Sequence, residues 1–423
     1  MSRARSVTKR ALALTIAVGG SAFLQALASP AQDIFDQATF YAGFYYNGAG
    51  PNSGFRVLRA QYQGQLDVAC GSDAACPYEK AVPIIQQVVA SFQDPFTSLM
   101  SDADVTDQNL LVQGKGPATP RVGLIASDLG NGAGLVVERV FPGEPGDLGR
   151  LQRGDIIESV NGAPAATALL RSSGPLTLGV KSVSGITRAE LTARLATQGL
   201  TPIFSTTAGG SVGLIWVPDL YASGIVGDTV HLLIQRALQA GVKGLVLDLR
   251  DSDTGLDTEA LVAAAAFTPN AGWVYTPRFA GNKQTFTVQG QSLYAQGETG
   301  DKVEQAKLRS APNTTLPTVV LVNARTTNSA EMLAYLLQHT GRAKVVGELT
   351  RGELNVSGGV VGDLLNGDSV NVSEFRMVGL DGVPFPRQVT PDVLIPDDPA
   401  ALAKGVDGPL SSALNLLGVA AAR

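Results

Sequence analysis

The chain has 423 residues, 48 of them glycine and 23 proline, with a formal net charge of −5 and a hydrophobic share of 44%. That length exceeds what one core usually organises, and the hydrophobic share is too high for wholesale disorder. Net negative charge, with no basic cluster after the first ten residues, argues against a nucleic-acid partner, and two histidines and two cysteines leave little material for a metal centre.

In chain order, Arg3, Arg5, Lys9 and Arg10 lead into an apolar stretch from Ala11 to Ala28, which ends in the small residues Ala26-Leu27-Ala28. Residues 1–28 therefore read as a secretory signal peptide. The alternative, an uncleaved membrane helix, is disfavoured because the run is short and broken at Gly19 and Gly20. Removing the leader takes the net charge from −5 to −9 and places the mature protein outside the cytoplasm, in a periplasm, cell envelope or extracellular space. No later segment is apolar enough to span a membrane. In such a compartment Cys70 and Cys76 are expected to form a local disulfide.

Residues 29–112 carry a helical pattern, with Ile34, Phe35, Ala38 and Ala42 at helix spacing and the pattern repeated from Val82 to Phe92. Asp94-Pro95 breaks it, and Gln113 to Pro120 reads as a linker. From about 118 to 195 short β-type runs alternate with turns: Val122–Ile125, Leu135–Val140, Ile156–Val160 and Leu176–Val180. Within Leu151–Gly162 (LQRGDIIESVNG) a turn, a strand and an Asn-Gly hairpin signal follow one another. This stretch resembles the signature of PDZ domains. The resemblance implies that Val122-Gly123-Leu124-Ile125 is the glycine-containing loop and strand edge that hold a peptide's free C-terminus; a plain small β-domain is the alternative.

Between about 208 and 396 strands and helices alternate. Strands are expected at Val212–Val217, Gly244–Leu249, Thr318–Asn323 and Ala343–Gly347, and helices at Ile225–Ala240, Thr258–Phe267 and Ala330–His339. Apolar strands joined by such helices imply a largely parallel sheet. Asn355–Val361 and Val370–Val378 add β-type segments, Gly281–Pro317 shows no usable period, and 397–423 reads as a helical tail. The expected fold class is α/β multidomain: an N-terminal helical segment, a PDZ-like β-rich domain, and an α/β core with a largely parallel sheet.

Several local motifs, in this order, make the whole mature chain similar to the carboxyl-terminal processing (tail-specific) serine peptidases. They are Asp94-Pro95-Phe96-Thr97, the strand Gly244-Leu245-Val246-Leu247-Asp248-Leu249-Arg250, the segment Val319–Gly347, and Val389-Thr390-Pro391-Asp392. The resemblance implies a ClpP/crotonase-like core and peptide-bond hydrolysis by a serine–lysine dyad. In such a dyad the serine opens a helix, where aligned amides favour developing negative charge, and a desolvated lysine acts as base.

At those positions this sequence departs from the family pattern. Thr326-Thr327-Asn328-Ser329-Ala330-Glu331 puts Asn328 where the nucleophile belongs, and Ser329 one residue late, turned by about 100° on a helix. Thr350-Arg351-Gly352-Glu353 puts Glu353 where the lysine belongs, and no lysine occurs between Lys344 and Lys404. Thr254 and Gly255 fall in the oxyanion region, flanked by Asp251 and Asp253, whose charge opposes a forming oxyanion. His339 is about 15 Å along the helix from Ser329, and His231 lies mid-helix, so neither is positioned as a base. The acidic run Asp251–Glu259 lacks the glycine and glutamate positions of a calcium-binding EF-hand loop and is read as helix-terminal charge.

The resulting expectation is an exported, PDZ-bearing relative of the tail-specific peptidases that binds polypeptide C-termini without cleaving them, and needs no cofactor. Two alternatives stay open: an active serine endopeptidase using Ser329, and a non-catalytic small-ligand carrier.

Overall fold

The apolar residues spaced by three and four along 31–42 become the buried face of a helix, Pro30–Tyr45. Ser29 Oγ caps it by accepting the Gln32 N–H, and Pro30 pre-sets its first turn. The computed structural model describes residues 29–423 except 52–53, 119, 131, 172–173, 183–184, 197, 270, 280–282, 310–313 and 420–423. The expected signal peptide, 1–28, lies outside the described residues.

The first helix packs on Phe55–Cys70 and Val82–Ala90, and a Cys70–Cys76 disulfide closes the end of the second helix. This helical unit is not free-standing. It shares its core with Val370 and Val372, and it contributes a strand, Ser98–Met100, to a sheet of the α/β region. The strand corrects the all-helical expectation for 29–112. Pro95 ends the helical run, and Asp94 accepts from the Phe96 N–H (3.0 Å) and from Ser373 Oγ (2.7 Å), latching the extended segment onto the neighbouring strand.

Residues 124–192 form an antiparallel sheet. Its strands Leu124–Asp128, Leu135–Val140, Ile156–Val160, Pro175–Lys181 and Arg188–Thr192 are adjacent in that order, with Leu124–Asp128 at an edge. Asn161 and Gly162 take positive φ (51° and 80°), closing a hairpin between Ile156–Val160 and Ala163–Pro164.

The α/β region holds two sheets where one was expected. The first has six strands, in the order Val393–Leu394, Lys344–Gly347, Thr318–Val322, Gly244–Asp248, Val212–Trp216 and Ile203–Thr207. Every neighbouring pair is parallel except the last. Both faces are covered: Leu245, Leu247, Val320 and Val322 point to the helices Val226–Gln239, Asp257–Ala265 and Asn328–His339, while Val246, Val319 and Leu321 meet Ala413 and Leu414 of the C-terminal helix.

The second sheet has seven strands and is antiparallel. Ser98–Met100, Ser369–Gly379, Gly272–Pro277, Gln284–Gln289, Ser292–Gly297 and Val303–Lys307 lie in order, and Val356–Asp363 also pairs with Ser369–Gly379. Antiparallel pairing therefore dominates the molecule as a whole. Part of this sheet fills the stretch 281–317 that showed no period, because its outer strands are solvated: every residue of Val303–Lys307 is exposed.

A buried ion network joins the β-rich unit, the parallel sheet and the C-terminal tail. Arg139 reaches Asp248 (2.8 Å) and Asp251 (2.9 Å), and Arg250, 2% exposed, bonds Asp248, Asp397 and Asp407. Arg325 pairs with Asp251 and Glu138, and Arg153 with Asp407. Among the described residues no helix is long and apolar enough to cross a membrane.

Candidate active-site cleft

Four loops leave the C-terminal ends of four parallel strands on the same side of the sheet and supply one wall of a cleft of about 660 Å³. Tyr221 follows Val212–Trp216, Asp253 to Asp257 follow Gly244–Asp248, Thr327 and Asn328 follow Thr318–Val322, and Arg351 and Glu353 follow Lys344–Gly347. The antiparallel sheet supplies the facing wall, with Tyr275, Phe286 and Phe375, and Phe96, Ser98, Leu99, Met100 and Asp104 from the N-terminal part of the chain also line the space.

The helix begins at Asn328, two residues before its expected start, so Asn328 rather than Ser329 lines the cleft. Its φ is +28°, an uncommon conformation for a side-chain-bearing residue. The buried Asn328 amide is fully engaged: Nδ2 donates to the carbonyls of Glu353 and Val356, each at 2.9 Å, and Oδ1 lies 3.4 Å from Thr254 Oγ1. Asn328 is therefore a cross-strut between the helix start and the segment 353–356.

Ser329 is fully buried behind it. Its Oγ lies 2.7 Å from Asp257 Oδ1 and 3.0 Å from the Gly255 carbonyl. Asp257 also receives hydroxyl contacts from Tyr275 (2.9 Å) and Ser357, and burial raises its carboxyl above the usual range in spite of them. No lysine lines the cleft among the described residues. Lys344 is exposed and paired with Asp392, His339 pairs with Asp381 at the surface, and His231 holds the Val262 carbonyl inside the core.

Glu353 is buried and lines the cleft. Desolvation pushes its carboxyl up to about 7, the neighbouring Glu331 adds to the rise, and Arg351, 3.1 Å away, opposes it. Glu331 is likewise raised to about 7 by burial, although Thr350 Oγ1 and the Gly352 and Glu353 amides donate to it. The Thr254 amide donates to Asp253 Oδ1 at 2.8 Å, so a side-chain carboxylate of the neighbouring residue takes that donor. Gly255 is held against Leu220: a Cβ there would fall 2.1 Å from the Leu220 carbonyl carbon.

The peptide-loop residues lie apart, in the β-rich unit. Gly123 has φ +69° and is so close to Glu144 that a Cβ would fall 2.2 Å from the Glu144 Cβ; Arg121 clamps that carboxylate at 2.8 and 3.0 Å. Val122 and Gly123 use their carbonyls to accept from Gly146 and Phe141, and Leu124 and Ile125 begin the edge strand, beside the short helical turn Thr167–Arg171. The acids of the Asp251–Glu259 run each have a partner of their own: Asp251 the arginines, Asp253 Thr254, Asp257 the hydroxyls, and Glu259 the Gly224 and Gly227 amides. Sequence reasoning missed Asp257 as the partner of Ser329, and the aromatic wall altogether. Tyr275, Phe286 and Phe375 carry no motif, and only their register across three strands brings them together.

Residues 211–395 match peptidase family S41. The carboxyl-terminal-processing protease of Synechocystis is 26% identical over 288 residues, 65% of this chain and 62% of the relative, so the chain spans less than two thirds of that protein. The chloroplastic C-terminal processing peptidase of Tetradesmus obliquus is 26% identical over 348 residues, 77% of this chain and 69% of the relative. Among solved structures, a photosystem II D1 C-terminal processing protease superposes with a TM-score of 0.51 at 22% identity, covering 87% of this chain and 93% of the other. A putative S41 protease from Bacteroides fragilis gives 0.58 at 16% identity, covering 79% and 90%. These likenesses establish the shared fold.

Proposed function

We propose that this chain, whose residues 211–395 match peptidase family S41, is an exported, peptide-binding member of that family that recognises polypeptide C-termini and does not cleave them. One observation carries the reading: the residue at the nucleophile position, Asn328, has its amide bonded to the Glu353 and Val356 carbonyls and offers no attacking atom. The acid at Glu353 and the Thr254 amide engaged by Asp253 point the same way, since both a neutral base and a free oxyanion donor are lost.

Recognition is assigned to the 118–195 unit, read as PDZ-like. A peptide would extend the Leu124–Asp128 edge as an added strand, with its carboxylate at the loop around Gly123. The basic, then apolar, then small-residue pattern of 1–28 and the Cys70–Cys76 disulfide favour an oxidising, exported setting.

A second reading, an active endopeptidase, draws on the 2.7 Å approach of Ser329 Oγ to Asp257. One experiment separates the two. Purified protein is incubated with a panel of peptides bearing free apolar C-termini, and binding is followed by anisotropy and cleavage by mass spectrometry. The expected result is binding without cleavage, lost in Gly123→Val, whose side chain would collide with Glu144. Cleavage that disappears in Ser329→Ala overturns the reading.

A further inference from the structure

The two walls of the cleft differ in chemistry. On one, Tyr275 contacts Phe286 and Phe375 edge-on, with centroids 5.2 and 5.5 Å apart, and Phe96 and Met100 extend the apolar surface. On the other stand Asp253 and Glu353, with Asp104 on the nearby helix Asp102–Val112. Arg351 is the one cationic side chain lining the space among the described residues.

The two carboxylates are only half used. Asp253 takes Thr254 N–H and Thr327 Oγ1 on Oδ1, and Glu353 takes Arg351 Nε on Oε1; no described donor reaches Asp253 Oδ2 or Glu353 Oε2. We propose that this cleft receives a basic side chain, lysine or arginine, of a bound polypeptide segment, its alkyl stem on the aromatic wall and its cationic head between Asp253 and Glu353.

This rests on the proposal that the protein binds polypeptide without cleaving it, and adds the cleft as a second surface for the bound segment. A stem-and-head cation is the ligand that satisfies both walls at once. Methylene groups bury against rings, a guanidinium or ammonium is attracted to aromatic faces, and the head meets carboxylates in a partly desolvated space where the attraction is strengthened. Desolvation holds both carboxyls above their ordinary range, and repulsion from Glu331 and Asp253 adds to the rise at Glu353, a penalty that a bound cation relieves; Asp253 stands at the exposed side of the cleft, where such a head can reach it. A single metal ion fits less well, because no three metal-ligating side chains converge among the described residues. A free carboxylate would be repelled here. The cleft and the Gly123 loop therefore read different parts of one polypeptide, a basic side chain and a terminus.

The test uses the purified protein and two labelled peptides with amidated C-termini, identical except for lysine or norleucine at one position. Amidation removes any contribution from terminus recognition. The lysine peptide is expected to bind at least about tenfold more tightly at pH 8 and low salt, and free Nα-acetyl-lysine amide to displace it where the norleucine analogue does not. Glu353→Gln and Asp253→Asn should each shrink the discrimination severalfold, with circular dichroism confirming the fold. Equal binding of the two peptides, no binding of either, or discrimination that survives both substitutions together overturns the proposal. If it fails while a free-carboxylate peptide still binds through the Gly123 loop, the C-terminus reading stands alone; loss of that binding with lysine discrimination intact is the converse.

Discussion

Asn328 and Glu353 are neighbours in space, joined by a hydrogen bond from the Asn328 side-chain amide to the Glu353 main-chain carbonyl. Glu353 faces Glu331 from the Asn328–His339 helix, Asp253 from the loop after Gly244–Asp248, and Arg351 from its own loop. Burial and the Glu331 charge hold its carboxyl at about 7 in the folded chain, against the ordinary value near 4.5. Between about pH 5 and 7 the folded protein keeps a proton that the unfolded chain has released, so stability falls as pH rises through that window. Glu353→Gln cannot ionise and should remove this share of the fall. Urea denaturation is expected to show variant and parent alike near pH 5, and the variant more stable at pH 8 by on the order of 1–3 kcal/mol. A gap independent of pH would show that Glu353 is solvated.

Among the elements, the first two helices show how local pattern and covalent closure combine. Ile34, Phe35 and Ala38 interlock with Leu58, Tyr62 and Leu66, and the Cys70–Cys76 loop ends the second helix against the first, where the Ala31 N–H donates to the Cys76 carbonyl. A short closed loop restrains the unfolded chain modestly, so a Cys70→Ser, Cys76→Ser protein should lose about 2 kcal/mol in chemical denaturation. Fully reduced wild-type protein should match it. The Asp94-Pro95-Phe96-Thr97 turn works at the same scale: it converts a helix end into the strand Ser98–Met100 and thereby brings Phe96 and Met100 to the cleft.

Across the whole molecule, Arg139 ties the β-rich unit to the parallel sheet through Asp248 and Asp251, next to the loop that carries Thr254 and Gly255. In Arg139→Met the two acids keep other partners, Asp248 with Arg250 and Asp251 with Arg325, so the core should stay folded while the unit loosens. Limited proteolysis should then release the 124–192 unit at least severalfold faster than in the parent, with an unchanged core fragment. Equal cutting rates would mean that the remaining contacts, such as Phe141 stacked on Trp216, hold the unit alone.

Local signals were enough for much of the fold. The 31–42 stripe, the four apolar parallel strands, the Asn161-Gly162 hairpin and the Pro95 break each lie within a few residues, where periodicity and turn chemistry act directly. The sequence also singled out Asn328 and Glu353, and both line the cleft. It could not reveal that the Asn328 amide braces carbonyls 25 and 28 residues away, that Ser329 turns inward to Asp257, or that three aromatic rings from separate strands face the acids. Those relations depend on helix phase, strand register and the stacking of two sheets, which only the folded chain sets, because packing joins residues that no local pattern connects.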